Sequence, residues 1–223
     1  MSSYHYENQK ISVNESEFED IKKDSFIMYD KIFNFKFLPP GRGLWSMGTN
    51  ITDCKKIFTS LNNCAFVSTK PKNPNNIEEI IKPYLFLMDN AMLGVGIGFD
   101  TKASEANIMI KGALKDKKVN FLVEDSREGW VDSLGALLKA YILGLEKPVF
   151  DYSIVRPAGS PLKIFGGISA GPGPLIELHK SLDEILDRYR GKVMDTRLVV
   201  DIMNLIGRGV VSGNISKEFF ILN

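Results

Sequence analysis

The stretch that decides the fold is VNFLVEDSREGWVDSLGALLKAYILGLEKPVFDYSIV, residues 119–155. A short apolar run predicts a strand over residues 119–123. Apolar residues at helical spacing then predict an amphipathic helix over residues 129–145, and a further strand is predicted over residues 149–155. Strands that are joined by helices of ten or more residues are typical of parallel sheets. The sequence therefore predicts an α/β fold with parallel strand pairing.

Further elements are predicted on both sides of this unit. The predicted helices cover residues 25–37, 77–92, 174–189 and 195–206, and a short buried strand covers residues 64–68. The first of these helices is ended by Pro39 and Pro40, and Pro83 is expected to kink the second. The first twenty residues are polar without a clear period, and we expect them to form a loose arm.

Composition excludes several classes of function. The 223 residues carry 28 Lys+Arg against 27 Asp+Glu, and this balance gives no reason to expect direct binding to nucleic acid or to a membrane surface. The chain has two cysteines and two histidines, too few and too scattered for a zinc site or a secreted disulfide framework, so no metal site is predicted. Because no secretory signal and no long apolar segment occurs, we expect a cytoplasmic protein.

Three glycine-rich stretches are candidates for ligand contact. They are PGRG at residues 40–43, GVGIG at residues 94–98 and GGISAGPGP at residues 166–174. Such loops expose backbone N–H groups that can approach a phosphate closely. None of the three fits an established phosphate motif, so a tight packing turn remains the alternative at each.

The cysteines and histidines are ambiguous when they are judged on their neighbours alone. Cys64 begins an apolar strand, where a small buried hydrophobic residue is the ordinary interpretation. No CxxC motif offers a redox partner. Cys54 has polar neighbours that indicate a surface, and His179, beside Lys180, is expected to be solvated on its helix. These residues alone predict an α/β domain with glycine-rich loops.

Seven segments together extend this interpretation. They are LPPGRGLWSMGT (38–49), LNNCAFV (61–67), GVGIG (94–98), DSREGWV (125–131), IVRPAG (154–159), GGISAGPGPL (166–175) and NLIGRGVVSGN (204–214). In this order they resemble segments of the adenosylcobalamin-dependent (class II) ribonucleoside-triphosphate reductases, and the similarity is greatest to the monomeric branch of that family.

The resemblance implies a fold and a domain organisation. The expected fold is the first half of the ten-stranded α/β barrel of ribonucleotide reductases, preceded by a short helical N-terminal segment. Residues 1–37 would form the N-terminal arm and helix, residues 38–214 the first half of the barrel, and residues 215–223 an unrelated C-terminal tail.

The resemblance also implies radical chemistry. In the family, homolysis of adenosylcobalamin generates a thiyl radical on a finger-loop cysteine, and this radical abstracts the ribose 3′-hydrogen. Two further cysteines deliver the reducing equivalents for loss of the 2′-hydroxyl and become a disulfide. Cys64 matches one member of this reducing pair and is the predicted catalytic residue. The predicted substrate-binding residues are Thr49, Asn63, Gly94, Gly96 and Gly98.

The implied partners are a ribonucleoside triphosphate substrate, a deoxynucleotide effector and a thioredoxin-type reductant. After Asn214 the sequence departs from the family, which continues with two arginines and Ser-Ala-Glu. The chain is therefore expected to be a piece of a split reductase with a complementary C-terminal polypeptide, the product of an interrupted gene, or a degenerate remnant. In each case we expect the isolated chain to be inactive. The alternative from another class is a non-catalytic nucleotide-binding or regulatory module, which would not need Cys64.

Overall fold

The computed structural model describes residues 14–161 and 168–213. The chain divides into two compact units, residues 1–63 and residues 64–223. Within the described residues, no helix is long and apolar enough to cross a membrane. The predicted boundaries at residues 37, 38 and 214 remain predictions, and the tail at 215–223 lies outside the described residues.

The first unit is helical. Helix α1 (Glu15–Phe33) begins well before the predicted start at residue 25, because Asn14 and Glu17 form a capping box that fixes its first turn. The expectation of a loose arm over the first twenty residues is therefore wrong from Glu15 onward. The remaining helices of this unit are α2 (Gly41–Ser46), α3 (Asn50–Asp53) and a 3₁₀ turn (Phe58–Leu61).

The second unit alternates strands and helices, as the sequence predicts. Its elements are β1 (Cys64–Val67), α4 (Ile77–Met92), β2 (Gly96–Phe99), a 3₁₀ turn (Lys102–Ala106), β3 (Met109–Ile110), β4 (Leu114–Leu122), α5 (Arg127–Leu143), β5 (Glu146–Asp151), α6 (Gly173–Arg188), β6 (Lys192–Val193) and α7 (Thr196–Gly213). The predicted helix over residues 77–92 is confirmed at both ends, and it continues through Pro83.

The strands of the described residues form three two-stranded sheets. β1 pairs with β2 and β4 pairs with β5, both in parallel, which confirms the predicted α/β class and its parallel pairing. β3 pairs with β6 antiparallel, and strands of two residues are too short to show any period in a sequence. The glycine stretch at residues 94–98 is not simply a loop, because its second half belongs to β2.

The core of the second unit lies among α4, α5, α6 and α7, which pack against one another and against β5. Tyr84 and Tyr141 are the largest fully buried side chains, and desolvation raises the pKa of both hydroxyls. The Tyr141 hydroxyl also donates to Asp183 Oδ1 at 2.6 Å, and this bond ties α5 to α6. The core therefore combines apolar packing with satisfied polar groups.

His179 on α6 is buried, so the expectation of a solvated residue is wrong. Its ring stacks on Phe150 at a centroid distance of 4.0 Å. Nε2 lies 3.1 Å from the Ser133 hydroxyl and Nδ1 lies 2.7 Å from the Tyr152 hydroxyl. Because Ser133 donates its own proton to the carbonyl of Trp130, the histidine carries its proton on Nε2 and accepts from Tyr152. Desolvation lowers the pKa of His179 to about 3, so the ring is neutral.

The loops that follow β4 and β5 are joined by an ion pair. The Arg156 Nε atom lies 2.8 Å and 3.0 Å from the two carboxylate oxygens of Asp125. The Arg156 backbone N–H donates to the same carboxylate, and its guanidinium also donates to the carbonyls of Asp125 and Pro161. Both residues belong to the family-like segments at 125–131 and 154–159, and the contacts give these segments a structural role.

Candidate active site

The parallel pair β1–β2 carries the predicted catalytic cysteine on an open face. Cys64 lies opposite Gly96, and Phe66 lies opposite Gly98. All four residues are exposed, and because side chains alternate along a strand they share one face of the sheet. The other face packs toward α4 and is formed by Ala65, Val67, Ile97 and Phe99, all of intermediate exposure.

The glycines of β2 leave the face beside Cys64 without side chains. A Cβ atom added to Gly98 would lie 3.5 Å from Phe66 Cδ2, which is an ordinary van der Waals contact. Packing therefore does not require glycine at this position. A glycine that packing does not require leaves a place where the backbone can approach a ligand closely.

Gly94 has a conformational reason to be glycine. Its φ of +76° lies in the left-handed region, where a Cβ atom is disfavoured, and its N–H donates to the carbonyl of Ala91 at the end of α4. Of the three predicted glycines, Gly94 therefore turns the chain from α4 towards β2, whereas Gly96 and Gly98 line the open face.

A hydrogen-bonded pair closes the end of the two strands. The Thr69 N–H donates to Asp100 Oδ1 at 2.8 Å, and the Thr69 hydroxyl lies 2.9 Å from the same oxygen. Burial acts to raise the pKa of Asp100, but hydrogen bonds from Ser68, Thr69 and Lys102 outweigh it and lower the pKa to about 2. Asp100 is therefore a carboxylate at neutral pH. We call Thr69 and Asp100 the strand-end pair.

The two other predicted substrate-binding residues, Thr49 and Asn63, belong to the first unit. Thr49 caps α3: its hydroxyl donates to the Ser46 carbonyl at 2.7 Å and accepts from the N–H of Ile51 at 3.3 Å. Asn63 is exposed and directly precedes Cys64. The structure thus brings Cys64, Gly96 and Gly98 onto one face, and a substrate role for Thr49 and Asn63 stays a prediction.

Both cysteines are free thiols on the surface. This agrees with the prediction for Cys54 and excludes the interpretation of Cys64 as a buried hydrophobic residue. In the described ranges, no group of three or more His, Cys, Asp or Glu side chains is placed to hold a metal ion.

Phe66, Thr69 and Asp100 are the parts of this site that the sequence analysis missed. In the structure, exposed and inward positions alternate from Cys64 to Thr69 and again from Gly96 to Phe99. The contact between Thr69 and Asp100 joins residues 31 positions apart and leaves no local signal in the sequence.

Comparison with known proteins gives consistent matches. Residues 97–186 match the model of the B12-dependent ribonucleotide reductase insertion domain, and residues 1–49 match the model of the ribonucleotide reductase alpha domain. A solved crystal structure of a B12-dependent (class II) ribonucleotide reductase matches with a TM-score of 0.78 and 25% identity, over 92% of this chain and 35% of that one.

Curated relatives agree with these matches. The chain is 47% identical over 214 residues to a probable adenosylcobalamin-dependent ribonucleoside-triphosphate reductase of Dictyostelium discoideum, and 48% identical over 198 residues to the corresponding reductase of Euglena gracilis. Each alignment covers 88% of this chain. The chain spans only 27% and 26% of the lengths of these two relatives.

Proposed function

We propose that this chain, which is similar to adenosylcobalamin-dependent ribonucleoside-triphosphate reductases over about a quarter of their length, supplies such an enzyme with one of its reducing thiols, Cys64. The observation that carries the proposal is the position of this thiol: it is exposed, it is held on a strand, and it lies beside a strand whose facing positions are glycines. Chemistry at a sugar carbon needs such a fixed and accessible thiol, because small misplacements slow a positioned reaction strongly.

The proposed chemistry is a two-electron reduction. Cys64 and a second thiol each give up one hydrogen atom equivalent and join in a disulfide, while the C2′–OH bond of the ribose breaks. The hydroxyl leaves as water with one of the two protons, and the other hydrogen remains on C2′. An external thioredoxin-type dithiol then reduces the disulfide by exchange and returns Cys64 to the thiol state.

The proposed substrate is a ribonucleoside triphosphate, the substrate class named for the Dictyostelium discoideum and Euglena gracilis relatives. Backbone N–H groups of residues 94–98 would lie near the nucleotide, and Thr49 and Asn63 would line its phosphate and sugar. A deoxynucleotide effector is part of the same proposal. Adenosylcobalamin supplies the organic radical that starts the reaction, and we assign no residue of this chain to holding it.

We further propose that a second polypeptide, the complementary C-terminal part of the reductase, completes the enzyme. Helix α1 supports this, because no residue of it is buried although it carries several large apolar side chains. The exposed ones are Phe18, Phe26, Ile27, Met28, Tyr29 and Phe33. Apolar surface of this kind is typical of a face that another chain covers.

Purification of the chain from its native host, followed by mass spectrometry of the proteins that accompany it, tests this proposal. We expect a companion polypeptide with the remaining reductase sequence, and ribonucleotide reduction by the complex but not by the isolated chain. Recovery of the chain alone would favour a remnant. Turnover by the pure chain would contradict the need for a companion.

A further inference from the structure

We propose that Thr69 and Asp100 are positioning residues that set the register of β1 against β2 and thereby hold Cys64 on the open face of the sheet. This inference rests on the proposed function only in so far as Cys64 is a working thiol. The contact itself is a property of the second unit and can be tested without turnover.

The register of β1 and β2 needs such a constraint. Each strand has only four residues, and glycine occupies two of the four positions in β2. Short glycine-containing strands specify their pairing weakly. A shift by one residue turns every side chain to the opposite face, so it would move Cys64 from the open face to the side that packs on α4.

The strand-end pair makes contacts that only one register satisfies. Besides the two contacts to Oδ1, the Thr69 hydroxyl lies 3.1 Å from the carbonyl oxygen of Asp100. The N–H of Ala103 donates to the Thr69 oxygen at 2.9 Å, so this hydroxyl donates on one side and accepts on the other. The Lys102 N–H donates to Asp100 Oδ1 at 3.2 Å. A register shift would leave these groups unpaired.

Thr69 is well placed to pass this constraint on to Cys64. Its side chain is fully buried, with 0% of its surface exposed, and so a lost partner would not be replaced by water. Exposed and inward positions alternate without interruption from Cys64 to Thr69. An odd number of steps separates the two residues, and so fixing Thr69 inward fixes Cys64 outward.

Disulfide trapping in the full chain tests the proposal directly. In a Cys54→Ser background, Gly96→Cys places a second thiol opposite Cys64 on the same face, and neighbouring strands lie about 4.8 Å apart, within disulfide range. Ile97→Cys instead reports the register shifted by one residue. We expect Cys64 to cross-link to position 96 and little to position 97. When Thr69→Val is added, the ratio of the cross-linking yields at positions 96 and 97 should fall at least about fivefold, because one hydrogen bond that favours the observed register is lost.

Matched variants separate register from general stability. Thr101→Val removes a neighbouring hydroxyl that makes no cap hydrogen bond, and Thr69→Ser keeps the hydroxyl, so both should retain the parental ratio.

An unchanged ratio in a folded Thr69→Val chain, with only a lower melting temperature, would overturn the proposal. If Thr69→Val does not fold, Asp100→Ala, which removes the acceptor Oδ1, takes its place, and a parental ratio there overturns the proposal equally. Because the readout is a cross-link, inactivity of Cys64 in turnover would contradict the proposed function and leave this result intact.

Discussion

Cys64 and Gly96 lie directly opposite each other in two parallel strands, and both are exposed. The thiol therefore has a hydrogen atom, and not a side chain, as its nearest cross-strand neighbour on that face. This relationship places an accessible thiol next to open backbone, as the proposed reduction of a bound sugar would require. It also means that small side chains added to β2 should disturb ligand binding more than folding.

Gly98→Ala should leave the melting temperature of the chain nearly unchanged, because the added Cβ meets Phe66 only at an ordinary contact distance. The same methyl group occupies space that we assign to the nucleotide. We expect the affinity for ATP, measured by isothermal titration with the proposed companion chain present, to fall about tenfold, equivalent to roughly 1.4 kcal/mol. Gly207→Ala, where an added Cβ meets nothing within 4 Å and which lies outside the three glycine-rich stretches, should keep the parental affinity. Equal affinities for both variants would exclude Gly98 from the site.

Two helical glycines should respond to alanine in opposite directions. Gly207 lies inside α7 with nothing within 4 Å of an added Cβ, so Gly207→Ala should stabilise the chain by about 0.5–1 kcal/mol. At Gly129 an added Cβ would lie 2.7 Å from the Glu124 carbonyl oxygen, so Gly129→Ala should destabilise it by about 1–3 kcal/mol. Denaturant unfolding measures the change in the free energy of unfolding for each variant. Changes of the same sign in the two variants would contradict the packing described for these helices.

His179 should make stability depend on pH. Its folded pKa, about 3, lies below the ordinary value of 6.5, so the unfolded chain takes up a proton in this interval and the folded chain does not. The stabilisation is complete above about pH 6.5 and is lost as the pH falls towards 3. Between pH 7 and pH 5 we expect a loss on the order of 2 kcal/mol, seen as a falling melting temperature.

His179→Gln should remove most of this dependence, because glutamine does not titrate. The same replacement at His5, the other histidine of the chain, serves as the control for removal of one imidazole and should leave the dependence in place. If the melting temperatures of the parent and of His179→Gln fall equally between pH 7 and pH 5, the buried ring is not the source of the pH dependence.

Arg156→Lys should destabilise the loops that follow β4 and β5. The pair with Asp125 is largely buried, with side-chain exposures of 18% and 29%, and an ammonium group cannot reproduce the several contacts of the guanidinium. A loss of about 1.5–3 kcal/mol is expected in denaturant unfolding. Arg208→Lys, which changes an exposed pair with Glu177, should alter stability by less than about 0.5 kcal/mol.

The sequence predicts some of these features well, for physical reasons that particular residues make clear. Helix α4 has an Asn76 cap and a regular apolar period, so its limits follow from local signals. β2 could not be predicted in the same way, because Gly-Ile-Gly-Phe has weak strand propensity and becomes a strand only through pairing with β1.

The missed parts of the site depend on contacts between distant residues. Thr69 and Asp100 are 31 positions apart, and nothing local to either residue indicates the other. His179 lies beside the charged residue Lys180, and this neighbour led to the prediction that His179 is exposed to solvent. Its burial comes instead from packing against Phe150 and Tyr152, at the end of β5. Cys64 was predicted as a working thiol by family resemblance alone, and the structure adds its exposure and its glycine neighbour.

A chimeric enzyme can show whether Cys64 is a reducing thiol, as we propose. In the Euglena gracilis reductase, the region similar to this chain is replaced by the chain, and deoxyribonucleotide formation is measured with adenosylcobalamin and a dithiol reductant. We predict that Cys64→Ser abolishes product formation while nucleotide binding persists, and that Cys54→Ser, which removes the other exposed cysteine, retains parental turnover. Parental turnover by the Cys64→Ser chimera would exclude a reducing role for this thiol and favour a nucleotide-binding module that does not use it.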